Sequence, residues 1–204
     1  VLVISNNPFS KTSNNGKTLA SFFKGFPPDN IAQLYFNSEL PNEVYFKNYY
    51  RITDGQVLKS LYSFSNAGSE IIIKEEEDKK EDKTLSSNSD IKFRAKSNFF
   101  RLLREIIWMS NKWKSSELLN WITKFSPDIV LFCAGDSGFA YNIVSFVLNK
   151  TEAKLITYIT DDYILPRKTI SPFWWIRRNF ILSKMRNMLQ ISDLFITISE
   201  DMRN

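Results

Sequence analysis

The feature that most narrows the fold is a rhythm: short apolar runs of strand length alternate with amphipathic stretches of helix length. The clearest run is Ile129-Val130-Leu131-Phe132-Cys133-Ala134, introduced by Pro127-Asp128 and closed by the turn Gly135-Asp136-Ser137-Gly138. It carries no polar residue at alternate positions, which is the pattern of a strand covered on both faces in a parallel sheet. Val1 to Ser5, Ile31 to Phe36, Ala153 to Thr160 and Leu194 to Ser199 also read as strands, and Tyr49 to Thr53 is a weaker extended stretch. Val3, Ile129, Leu131, Ile156 and Ile196 are the positions expected to be central and buried.

Helical spacing fills the intervals. Leu19, Ala20, Phe22, Phe23 and Phe26 recur along Lys17 to Phe26, which Pro27-Pro28 stops, and Asp54 can cap a helix over Gln56 to Phe64. Phe99, Leu102, Leu103, Ile106, Met109 and Trp113 form the apolar stripe of a strong amphipathic helix. Ser115 or Ser116 starts a shorter helix, another runs from Phe139 to Leu148, and Pro172 suits the first turn of one reaching Ile191. Strands separated by helices predict an α/β fold with a doubly wound, mostly parallel, Rossmann-like sheet. Residues 1–204 read as a single domain with ordinary globular composition. An insertion at 74–92 interrupts it: Lys74 to Lys83 is an unbroken run of charged residues, and neither helix nor strand could bury a face of it, so it is expected to be flexible.

Composition excludes several chemistries. The sequence has no histidine, which removes imidazole bases and histidine metal ligands, and its one cysteine cannot form an intrachain disulfide. Cys133 lies within an apolar run and is expected to be a buried, reduced thiol. No metal site is expected. No apolar run approaches the roughly 20 residues needed to cross a bilayer, and the first residues do not resemble a signal peptide; a cytoplasmic location is expected. The net charge of +5 is concentrated in two aromatic-rich segments, Lys92 to Lys114 and Arg167 to Arg186, which suit an anionic partner.

Asn15-Gly16-Lys17-Thr18 resembles the end of a P-loop, but Lys11 occupies the position of the loop's first glycine, and a dinucleotide-type Gly-x-Gly-x-x-Gly is absent. Parallel-sheet geometry offers another use for these residues, because loops leaving the C-terminal ends of the strands open together on one edge. Four segments are expected to meet there: Asn6 to Gly16, Gly135 to Gly138, Thr160 to Pro166 and Ser199 to Asp201. They bring Asn15, Gly16 and Lys17, whose amides at a helix start suit a phosphate or hydroxyl-rich ligand, to Asp136, Ser137, Asp161, Asp162, Ser199 and Glu200. Carboxylates beside hydroxyls and glycines suit sugar hydroxyls; alternatively, Asp136 merely caps the following helix and Asp161-Asp162 makes a turn.

The ordered set of segments resembles the N-terminal half of a family 4 glycosyltransferase with the GT-B fold. It comprises Pro8-Phe9-Ser10 through Asn15-Gly16-Lys17, then Pro127-Asp128-Ile129-Val130, a strand ending at Asp161, and Ser192-Asp193 through Ser199-Glu200. The resemblance implies the acceptor-side domain of a retaining enzyme that transfers a sugar from a nucleotide-sugar to a glycan or lipid-linked acceptor, in bacterial surface-polysaccharide or glycolipid synthesis. The nucleotide-sugar is then a co-substrate, with no separate cofactor. A donor-binding domain is expected beyond Asn204, and the 204-residue piece alone is expected to be inactive. Asp161 is the catalytic candidate, since many members carry a histidine near this position and this sequence has none.

Ser171 to Arg178 adds a membrane reading. Trp174, Ile181, Met185 and Met188 share a stripe expected to be core, leaving Trp175, Arg177, Arg178 and Lys184 to meet lipid, with a peripheral position at the inner face of the membrane. The competing function is a non-catalytic α/β module docking on anionic lipid or nucleic acid, although no nucleic-acid partner is expected on the transferase reading.

Overall fold

A computed structural model describes residues 1–12, 14–63, 65–73, 98–160 and 171–198. The charged stretch at 74–92 lies outside them. In chain order the elements are β1 (Leu2–Ser5), α1 (Asn14–Phe22), β2 (Ala32–Tyr35), β3 (Asn48–Arg51), α2 (Asp54–Tyr62) and β4 (Ser69–Ile71), then α3 (Asn98–Trp108), α4 (Ser116–Phe125), β5 (Ile129–Ala134), α5 (Gly138–Leu148), β6 (Lys154–Ile159), α6 (Pro172–Ile191) and β7 (Leu194–Thr197). The strands form one sheet in the order β4-β3-β2-β1-β5-β6-β7, parallel except for the pairing of β3 with β4. The expected doubly wound, Rossmann-like α/β fold is therefore present, with one antiparallel edge strand, β4, that the sequence reading did not include.

Alternation along the buried strands builds two cores. Leu2, Ile4, Leu34, Val130 and Phe132 pack beneath Val57, Trp108, Leu118, Ile143 and Met185 from α2 to α6. On the opposite face Val3, Tyr35, Tyr49 and Leu131 pack with Leu19 of α1, with Phe23 just after it, and with Phe9 and Phe46 from loops. Winding reverses at the middle of the sheet: β1 leads outward to β2 on one side, while β5 on its other side leads to β6 and β7. The crevice between the C-terminal ends of β1 and β5 is thus the topological switch point, where sheets of this type hold ligands.

Several local expectations need correction. The cap of α2 is Thr53, whose side chain accepts from the Gln56 amide while the Gln56 side chain accepts from the Thr53 amide; Asp54 is the first helical residue. Helix α1 starts at Asn14 and ends at Phe22, short of Phe26. Ile196 is neither central nor buried: β7 is an outer strand, and Leu194, Phe195 and Ile196 are all exposed, so neither of its faces is covered by the described residues. The apolar stripe read for α3 is only partly buried: Trp113, beyond the helix end at Trp108, is buried and Leu102 and Leu103 are half-buried, but Phe99, Ile106 and Met109 are exposed, while Glu105 and Trp108 are buried. On α6, Trp174, Ile181, Met185 and Met188 are buried as read, but so is Arg177. Arg177 and Lys184 are not left to lipid, since Arg177 pairs with Asp136 and Lys184 donates to Asn142 at 2.7 Å.

Candidate functional site

The switch point contains a cavity of about 220 Å³. Its walls come from Ser5, Asn6 and Asn7 after β1, Asn15 on α1, Ala134 to Ser137 after β5, and Arg101, Arg104, Glu105 and Arg177 on α3 and α6. Buried Gln33 on β2 fixes the first wall: its Nε2 donates to Ser5 Oγ at 2.8 Å and to the Asn7 carbonyl at 3.0 Å, and its Oε1 accepts from the Phe9 amide. Asn37 adds a bond to Asn7 Oδ1 at 3.0 Å. The turn after β5 is held by the Tyr141 hydroxyl, which donates to the Gly135 carbonyl at 2.9 Å.

The polar face of α3 meets the start of α5. Glu105 Oε1 accepts from the Gly138 amide at 2.7 Å and Oε2 from the Phe139 amide at 2.9 Å. These are amides with no acceptor inside their own helix, at its positive end, so Glu105 serves as an internal anion there. Burial raises its pKa, opposed by the two amides and by the Arg104 and Arg177 charges. Gly138 leaves room at this junction: a Cβ there would come within 2.2 Å of the Phe180 ring and 3.0 Å of Glu105 Oε2, so a side chain would have to displace the ring.

Arg104 grips Asp54 through Nε at 2.8 and 2.9 Å to its two carboxylate oxygens, donates from Nη1 to Ser137 Oγ at 3.0 Å, and lies 4.6 Å from the centre of the Phe139 ring. Trp108 donates to the same Asp54 carboxylate at 2.7 Å and stacks on Phe139 with ring centres 3.8 Å apart. Asp136 Oδ2 receives both Arg101 Nη1 and Arg177 Nη2, each at 2.5 Å, and the Asp136 carbonyl accepts from Arg177 at 2.6 Å. Asp136 therefore does not act as the α5 cap; Ser137 holds the cap position without a side-chain cap bond, and Glu105 supplies the acceptors.

Of the residues singled out from sequence, Asn15, Asp136 and Ser137 meet at the cavity, and Asn15 Nδ2 donates to Thr160 Oγ1 at 3.4 Å across the edge. Gly16 is buried where a Cβ would strike the Pro8 carbonyl at 2.0 Å, so its absence of a side chain serves the packing of α1 on the loop. Lys17 is exposed, and neither Gly16 nor Lys17 lines the cavity. Asp161, Asp162, Ser199 and Glu200 lie outside the described residues. Cys133 is partly buried beside the cavity, where desolvation pushes its thiol pKa up to about 12, so it is a protonated, weakly nucleophilic group. Among the described residues no set of three or more histidine, cysteine, aspartate or glutamate side chains could hold a metal ion.

The sequence reading missed Asp54, Arg101, Arg104, Glu105 and Arg177 as site residues. The available signal was the spacing of Arg101, Arg104, Glu105 and Trp108, which puts all four on one helical face. The fold and cavity together define a doubly wound α/β protein with a charged crevice at its switch point. No protein-family model, curated protein or solved structure matches the chain.

Proposed function

We propose that the chain is the acceptor-side domain of a retaining glycosyltransferase, acting with a nucleotide-sugar donor on a glycan or lipid-linked acceptor in bacterial surface-polysaccharide or glycolipid synthesis. The observation that carries this reading is the composition of the switch-point cavity. Three asparagine side chains and the hydroxyls of Ser5 and Ser137 line it together with ion-paired arginines. Amides and hydroxyls both donate and accept, as sugar hydroxyls require, and the guanidiniums add fixed N–H donors. The donor is held mainly by a second domain after Asn204. Asp161 orients the acceptor or stabilises charge developing on the sugar, and Asp162, Ser199 and Glu200 are the further candidates for binding donor or acceptor. Front-face displacement, with the departing diphosphate taking the acceptor proton, needs no histidine.

Saturation-transfer NMR with a panel of mono- and disaccharides and nucleotide-sugars tests the reading on the 204-residue chain. Saccharide signals that disappear in Asn15→Ala support it, and a panel without any signal overturns it. In the full gene product Asp161→Asn should lower kcat on the order of 10²-fold; an unchanged kcat moves the catalytic role to Asp162 or Glu200.

A second reading rests on the outer surface of α3 and α6. Phe99, Phe100, Ile106 and Met109 on α3 and Phe173, Trp175 and Ile176 on α6 are exposed, and the Phe99 and Phe173 rings touch across the two helices at 5.7 Å. Apolar and aromatic side chains on a basic surface suit the headgroup layer of an anionic membrane. Among the described residues no helix is long and apolar enough to cross a membrane, so this contact is peripheral. On this reading the domain docks on lipid with or without catalysis. Cosedimentation with phosphatidylglycerol vesicles that weakens as salt rises supports it, whereas equal binding to phosphatidylcholine, or none, removes it.

A further inference from the structure

Arg177 is 8% exposed and lines the switch-point cavity, and its Nε has no hydrogen-bond partner. Its Nη2 is held by the Asp136 carbonyl and by Asp136 Oδ2, which also receives Arg101 Nη1. No described residue donates to Asp136 Oδ1, although 33% of this side chain is exposed and Asp136 stands in the cavity wall. One ion pair thus carries an unused donor beside an unused acceptor. A desolvated guanidinium N–H without an acceptor is costly, so the pair calls for a group that accepts from Nε and donates to Oδ1. Phosphate and carboxylate oxygens only accept, and an ammonium only donates; a hydroxyl does both. The guanidinium fork is rigid, which keeps Nε within a hydroxyl's reach of the carboxylate that Nη2 holds.

Charge points the same way. Around the crevice the described arginines and carboxylates balance: Arg101 and Arg177 share Asp136, Arg104 grips Asp54, and Glu105 faces Arg104 and Arg177. An entering anion meets no unmatched positive charge among these groups and must approach the Asp136 and Glu105 carboxylates. We propose that the switch-point crevice binds an electrically neutral sugar ring, through a hydroxyl shared between Arg177 Nε and Asp136 Oδ1, and discriminates against acidic sugars. The saccharide class rests on the glycosyltransferase reading; the preference for a neutral ring rests on the donor–acceptor pair and the charge balance. The cavity of about 220 Å³ is smaller than the ~300–1,000 Å³ usual for drug-sized ligands, so it takes a single ring and not a nucleotide-sugar. Asn6, Asn15 and Ser137 stand in the same wall for its other hydroxyls. A water meets the same demand, and a sugar hydroxyl that reproduces its bonds displaces it at little cost.

Ligand-observed NMR titration of the 204-residue chain at neutral pH tests the proposal, with glucose, galactose and mannose each set against its uronate. The members of a pair differ only at C6, hydroxymethyl against carboxylate. At least one neutral hexose should bind with a Kd about tenfold or more below that of its uronate. Uronates bound as tightly as their hexoses overturn the inference and leave the glycosyltransferase reading standing. Absence of binding by all six sugars also overturns it, whereas the glycosyltransferase reading falls only when disaccharides and nucleotide-sugars are silent as well. Two variants place the preference in the crevice. Asp136→Asn, read where circular dichroism shows a folded chain, leaves excess positive charge among these groups, so the preference should vanish or reverse. Arg101→Gln, at a side chain 39% exposed, tips the balance the other way and should raise affinity for glucosamine, a cationic hexose, relative to glucose. Sugar preferences unchanged in both variants overturn the proposal.

Discussion

Glu105 concentrates the physics of the site in one side chain. It is nearly inaccessible, at 6% exposure, and both of its oxygens accept backbone amides of α5. Glu105→Ala leaves two buried donors unsatisfied, so a loss of about 3 kcal/mol is expected in urea unfolding at neutral pH. The pH dependence has a definite sign. Desolvation is the largest influence and raises the folded-state pKa above the ordinary value of 4.5, so the folded protein holds this proton more tightly than the unfolded chain does. That contribution is complete below the unfolded value and is lost as pH rises through the folded one. Stability of the wild-type chain relative to Glu105→Ala should therefore fall as pH rises above about 4.5 through this window, and a difference that stays flat across it would show that the amides cancel the burial. Nothing in the local sequence marks Glu105 as a cap, because the amides it satisfies belong to residues far along the chain.

At the scale of elements, α3 shows how periodicity can be right about a helix and silent about its orientation. Phe99, Leu102, Leu103, Ile106 and Met109 recur at helical steps, but so do Arg101, Arg104, Glu105 and Trp108. Ion pairs to Asp54 and Asp136, the first two amides of α5 and the stack on Phe139 together hold the second set inward. These partners lie on other elements, so they are invisible to any local pattern. The orientation makes a contrast that urea denaturation can measure. Trp108→Ala, which removes a buried ring, should cost about 3–5 kcal/mol, while Ile106→Ser on the exposed face should stay within about 0.5 kcal/mol. Equal losses would mean that the apolar stripe is covered. The cap of α2 teaches a similar lesson: Thr53 and Gln56 form a legible capping box, but adjacent Asp54 competes on cap preference alone, and only its engagement by Arg104 and Trp108 decides between them.

For the whole molecule, the sheet was the most legible feature, because strands such as β5 advertise double-sided cover in an unbroken apolar run. The same logic misplaced β7, whose apolar residues look central in sequence but stand at the rim. A rim strand with apolar side chains on both faces and an open backbone edge favours pairing with other chains. Sedimentation velocity of the 204-residue chain should therefore show association that grows with concentration and weakens in Phe195→Lys; a monomer at all concentrations would show that β7 is protected. The position of β1 has a further consequence, in time. Leu2 pairs with Ala32 on one side and with Val130 on the other, so β1 leaves the ribosome well before β5 and waits for it before both of its edges are closed. The cavity waits longer still, since its walls draw on Ser5, Arg101, Asp136 and finally Arg177. The cavity is thus incomplete in the nascent chain until α6 has been synthesised, and an incomplete polypeptide presents an open sheet edge and a crevice wall that lacks Arg177.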